Sequence, residues 1–198
     1  LRAIATVAGK DFTVEWRSRE VILTASLFAT LLVVVFSFAF PRDDASVRAA
    51  APGMLWVTVA FAGTIALGRV FDREREGDTM RALLLSPAPR LAIFAGKAVA
   101  IAALVALVAA LCVLLLAILL GVDWFFAPLP FVALLGLGAL GFATVGTVFA
   151  AGLLRSKSRD VLLPIVLYPI LIPLFIAGTR GTTALVSLTP NLDAAWYW

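Results

Sequence analysis

RVFDREREGDTMRALLLSP, residues 69–87, sets eight charged side chains between two long hydrophobic runs. A water-soluble domain spreads its charge over the whole surface, with about a quarter of its residues charged. Here only 14% of the 198 residues are charged while 63% are hydrophobic. The flanking runs therefore have no polar face to show to water, and the charged stretch marks where an apolar solvent ends. That solvent is lipid.

Outward from this stretch, five runs have the roughly 20 apolar residues that a helix needs to cross a bilayer core of about 30 Å. They lie at about 21–40, 51–68, 98–122, 131–154 and 161–178. Helices are the expected form, because in lipid each backbone polar group must be satisfied within its own segment or a closed barrel, and no alternating strand pattern is visible. The expectation is an all-α polytopic membrane protein with residues 1–198 as a single transmembrane domain. Residues 179–198 are too polar to span, yet end in Trp196, Tyr197 and Trp198, aromatics suited to the headgroup level. A sixth span is expected past Trp198.

The connections set the orientation. Thirteen Lys and Arg residues precede the first span or lie in the 69–97 and 155–159 connections, against three (Arg42, Arg48, Arg180) on the opposite side. Such a bias puts the N-terminus and the 69–97 segment in the cytoplasm. Nothing in the pattern lines up basic residues for nucleic acid. Residues 1–20 place Ile4, Ala8, Phe12 and Trp16 on one helical stripe, with Lys10, Glu15, Arg17 and Arg19 elsewhere, which predicts an interfacial helix on the cytoplasmic leaflet.

Within the charged segment, Asp72/Arg75, Arg73/Glu76 and Asp78/Arg81 are oppositely charged pairs at three-residue spacing, neighbours on a helix. Gly77 is suited to end the descending helix. Asp78 or Thr79 then caps a short helix with Met80, Leu83 and Leu84 as its stripe. Pro87 stops that helix, and Pro89 opens the next. A loop kept out of lipid would need only a few charges, so this arrangement reads as a docking element.

Gly136-Leu-Gly138-Ala-Leu-Gly141 matches the dinucleotide fingerprint in letters, but lies inside a span rather than between a strand and a helix. Close packing is the better account. Ala139, Ala143, Thr147 and Ala151 form one ridge at four-residue spacing, and Ala98, Ala102, Ala106 and Ala110 form another; small residues let helices approach in lipid. Pro164, Pro169 and Pro173 crowd the fifth span, as a static bend or as a flexible, pathway-lining helix.

The chemistry available is narrow. The chain has no histidine and one cysteine, Cys112. It has no nucleophile–base constellation, so no catalytic residue and no metal site are assigned. The spans hold almost no ionisable residues of the kind that ion-driven transporters use. Energy must enter from outside the membrane.

The stretch PRDDASVRAAAPGMLWVTVAFAGTIALGRVFDREREGDTMRALLLSPAPRLAIFAGK (41–97) resembles the haem exporter protein B (CcmB) family of cytochrome c maturation, within the ABC-2 type permeases. DVLLPIVLYPILIPLFIAGT (160–179) is similar to that family's fifth span. The resemblance implies an ABC-2 permease bundle in the bacterial inner membrane. It implies a separate ATPase, CcmA, the membrane proteins CcmC and CcmD, and release of the haem-loaded chaperone CcmE. It further implies that Asp72, Arg73, Glu74, Arg75, Glu76, Gly77, Asp78, Arg81, Leu83, Leu84 and Leu85 meet the ATPase. ATP and haem would then sit on partner subunits. Met54, Met80, Cys112, Tyr168 and Tyr197 are the only other candidate iron ligands here, with no visible pairing. The alternatives are an ABC-2 exporter of lipid, polysaccharide or drug, and a passive membrane scaffold.

Overall fold

The computed structural model describes residues 2–39, 43–76, 89–124, 127–154, 156, 158–186 and 191–197. Among them are seven helices: α1 (Arg2–Ser18), α2 (Glu20–Ala39), α3 (Asp44–Glu76), α4 (Arg90–Leu120), α5 (Pro128–Gly152), α6 (Arg159–Val186) and α7 (Leu192–Tyr197). Five of them, α2 to α6, are long and apolar enough to cross a membrane. The protein is an all-α polytopic membrane protein.

Burial shows how the helices are arranged. The most apolar stretch of α3 is 67% buried, more than twice the share in α2 or α6, so α3 is the central helix. It touches α2, α4, α5 and α6. α2 turns a single stripe inward, Val21, Ala25, Ala29 and Val33, while Leu23, Leu27, Leu31 and Val35 face outward. Large apolar side chains on the outside are the expected surface of a bundle bathed in hydrocarbon.

Local sequence accounts for the helix ends. Asp43 precedes α3, and its carboxylate accepts the Ser46 amide at 2.9 Å, an N-terminal cap. Pro89 immediately precedes α4, where its carbonyl receives the amides of Ala92 and Ile93. Gly121 ends α4 in the left-handed region at φ 67°, donating to the Ala117 carbonyl, a conformation glycine adopts at little cost. Beyond it, Trp124 stacks on Phe131 with ring centroids 5.3 Å apart.

One boundary and one buried face differ from expectation. α6 runs without interruption through Pro164, Pro169 and Pro173 and on past Gly178 to Val186. The polar stretch after Gly178 is helical because it packs: Gly181, Thr182, Leu185 and Val186 are buried, and α7 folds back against it. In α1 the buried face is also displaced. Val7 and Glu15 point inward while Phe12 is 49% exposed. A lone helix on a membrane would bury Phe12 and expose Glu15. This one lies against the bundle, where cations await its carboxylates.

Small residues bring the helices close, though not along straight ridges. Ala98, Ala102, Ala139, Ala143 and Thr147 are buried, Ala106 is half-buried, and Ala110 and Ala151 are exposed. The four-residue repeat turns about 40° per step around a 3.6-residue helix, so three steps carry it off the packed face. The closest approaches are at glycines. Cβ atoms on Gly138 or Gly178 would run into the Trp56 ring, one on Gly141 would reach Leu174, and one on Gly146 would reach Leu67. The fingerprint-like run is thus a packing surface, with Trp56 pinned in its slot by a 2.9 Å bond from its indole N–H to Thr182 Oγ1.

Candidate coupling interface

The last turns of α3 and the first of α4 flank the charged segment, and both are bound to other helices by ion pairs. Successive residues on a helix point about 100° apart, so Asp72 and Arg73 reach different neighbours. Asp72 accepts from Arg159 Nη2 at 2.9 Å, at the first residue of α6. The same Arg159 nitrogen donates to the Gly68 carbonyl at 2.6 Å. Arg73 turns the other way, donating from Nη1 to Glu15 of α1 at 3.1 Å, with the Glu20 carboxylate of α2 at 3.5 Å from Nη2.

Glu15 joins three helices. One carboxylate oxygen holds Arg73, and the other accepts the Ile22 amide at 2.9 Å, one of the orphan donors at the start of α2. Between α1 and α2, Arg19 takes a left-handed conformation at φ 55°, and its amide donates to the Glu15 carbonyl. The chain thereby passes from α1 into α2 within one residue. A non-glycine residue is uncommon at such an angle.

On the α4 side, Lys97 is 1% exposed and pairs with Asp11 of α1 at 3.2 Å. Its ammonium also lies 5.9 Å from the centre of the Phe71 ring, within the range of a cation–π attraction. One turn beneath α1, Gly96 leaves room for Val7: a Cβ there would stand 2.7 Å from Val7 Cβ and 3.0 Å from the Ile4 carbonyl.

Both arms of the segment are therefore seated, α3 on α1, α2 and α6, and α4 on α1. Glu15, Lys97 and Arg159 are buried, and removing the partner of any of these leaves its charge stranded where water is scarce, so the pairs act as fixed joints. The arrangement is suited to carrying a displacement of the segment into α1 and α6 together.

The sequence-derived residues fall into three groups. Asp72 and Arg73 are the joints just described, with partners on other helices; the side chains of Arg75 and Glu76, their expected partners at three-residue spacing, lie outside the described residues. Glu74, Arg75 and Glu76 complete α3, with side chains outside the described residues. Gly77, Asp78, Arg81, Leu83, Leu84 and Leu85 also lie outside them, as do Thr79, Met80 and Pro87. Glu15, Lys97 and Arg159, the buried charges, are the residues that sequence reasoning passed over. The signal for Lys97 and Arg159 was their place within a turn or so of an apolar run, where they were counted only as topology signals.

Among the described residues no cluster of three or more metal-ligating side chains occurs. Met54 and Cys112 are packed in the core, Tyr168 meets Phe61 edge-on at 5.6 Å, and Tyr197 is exposed.

The family model described as CcmB protein matches residues 2–196. The chain is similar to heme exporter protein B of Pseudomonas aeruginosa, 26% identical over 165 residues that cover 83% of this chain and 74% of that protein. It is also similar to heme exporter protein B of Bradyrhizobium diazoefficiens, 27% identical over 189 residues that cover 94% of this chain and 83% of that protein.

Proposed function

Because the chain belongs to the CcmB protein family, we propose that it is the permease subunit of an ABC complex in cytochrome c maturation, set in the bacterial inner membrane. A separate ATPase, CcmA, docks on residues 72–85 from the cytoplasm. Closure of that ATPase on ATP pushes the segment, and the seated arms of α3 and α4 carry the movement into the bundle. CcmC and CcmD are its membrane partners, and the haem-loaded chaperone CcmE is released by the change.

The observation that carries this reading is the double anchoring of the segment. Asp72 and Arg73, adjacent in sequence, are bound to α6 and to α1 and α2 respectively. A loop that merely kept charge out of lipid would have no use for joints to three helices. The sequence contains no histidine, so the usual imidazole ligand for haem iron would come from partner subunits. This subunit would then transmit force rather than hold iron.

The test is to reverse Glu74, Glu76 and Asp78 to Lys and to measure copurification with the ATPase and ATP-dependent release of the chaperone. Both should fall at least tenfold while the protein still inserts into the membrane. Undiminished binding and release would overturn the proposal.

A further inference from the structure

On the far side of the membrane from these joints, a groove runs between α3 and α6. A hollow of about 220 Å³ lies between the two helices, and an open stretch of α6 surface, about 400 Å³, continues the trough outward from it, sharing Ile172, Phe175 and Thr179. The edge-on pair Phe61 and Tyr168 stands at its inner end. Arg180, exposed, stands at its outer end and is the one charged residue among the described residues that line it.

The dimensions match one leaflet. From Tyr168 to Arg180 the helix rises about 18 Å, close to the roughly 15 Å depth of half a hydrocarbon core. From Arg159 to Arg180 it rises about 31 Å, the thickness of a whole core. With Arg159 at the inner boundary, Arg180 stands at the outer headgroup level.

Gly53 lines the same trough. Glycine is the least favoured helix residue after proline, and packing explains most of the helix glycines here. It does not explain Gly53, nor Gly9, Gly68, Gly136 or Gly152, since nothing lies within 4 Å of where their Cβ atoms would be; of these five, Gly53 is the one that lines the trough. What the missing side chain leaves is room in the trough.

We propose that this groove seats one acyl chain of an anionic glycerophospholipid from the outer leaflet, with its phosphate at Arg180. An apolar slot between α3 and α6 that opens outward along α6 to a cation at headgroup level fits that chemistry. The seat depends on the membrane topology and is independent of ATPase docking, so each proposal can fail without the other.

The purified protein in detergent is titrated with phosphatidylglycerol or with diacylglycerol of the same acyl chains, which lacks the phosphate, and bound lipid is counted by native mass spectrometry. One phosphatidylglycerol should be retained with at least tenfold preference. Arg180→Gln should abolish the preference while leaving chain binding. Gly53→Leu, which meets open space and favours the helix, should remove binding of both lipids without lowering the thermal midpoint. Equal retention of the two lipids by the unaltered protein would overturn the proposal, as would full binding by Gly53→Leu. So would a protoporphyrin, or a second copy of the chain, occupying the groove in place of phosphatidylglycerol.

Discussion

Arg159 Nη2 lies 2.9 Å from Asp72 Oδ1, and the two side chains are unequally buried: 2% of Arg159 is exposed against 38% of Asp72. That inequality gives the pair a direction. Asp72→Ala strands a guanidinium in the bundle with only the Gly68 carbonyl beside it, a loss of about 3 kcal/mol by the usual cost of an orphaned buried charge. Arg159→Met leaves a carboxylate that water can reach and costs well under that. Unfolding in detergent micelles should rank the two variants in this order. Equal losses, or the reverse order, would contradict the reading of Arg159 as a buried joint.

Lys97 and Asp11 should behave as a coupled pair. Asp11→Asn and Lys97→Met each break the joint between α1 and α4, so the double variant should be less unstable than the sum by about 1–3 kcal/mol. The same variants loosen α1, so trypsin should cut at Lys10 several-fold faster in each than in the parent. Additive losses with unchanged cleavage would mean that the 3.2 Å contact does not hold α1 down.

How much of this was legible depended on the range over which each signal acts. The five spans could be read because hydrocarbon imposes a uniform demand on every residue in a run, and a sum over about 20 residues survives a local exception such as Pro52. The cap at Pro89 could be read because it involves only its neighbours. The joints could not. Glu15 and Arg73 are 58 residues apart, and Lys97 and Asp11 are 86 apart. Each helix taken alone assigns its charges to the side facing water. The local pairs expected for Asp72 and Arg73 follow from the same restriction, since three-residue spacing is the only neighbour relation that one helix discloses.

Asp43 offers a pH-dependent test at the start of α3. The bond from the Ser46 amide holds its carboxyl below the usual aspartate value, so the folded state favours the ionised form. The stabilisation is complete above that ordinary value and disappears as pH falls through the lower folded-state value. Hydrogen exchange at the Ser46 and Val47 amides should therefore quicken, relative to chemical exchange, only on acidification. Asp43→Asn keeps an acceptor that does not titrate and should flatten the response. An acid response that persists in Asp43→Asn would assign it to another group.

Gly136 and Gly138 are two residues apart in one apolar run and should respond oppositely to the same methyl group. Lipid tails are as apolar as the side chains, so association within the bundle depends on shape rather than on escape from water. At Gly138 a Cβ would occupy the space of the Trp56 ring. Either the indole leaves its slot, breaking the bond to Thr182, or α3 and α5 separate; such overpacking costs about 1–3 kcal/mol. At Gly136 a Cβ meets nothing within 4 Å, and alanine gains up to about 1 kcal/mol of helix propensity. Gly138→Ala should thus lower the thermal midpoint and shift the tryptophan emission, whereas Gly136→Ala should hold or raise the midpoint with emission unchanged. Trp56→Phe, smaller and without the N–H, should relieve part of the Gly138→Ala penalty when the two are combined. If it does not, the slot is not what makes glycine necessary at 138.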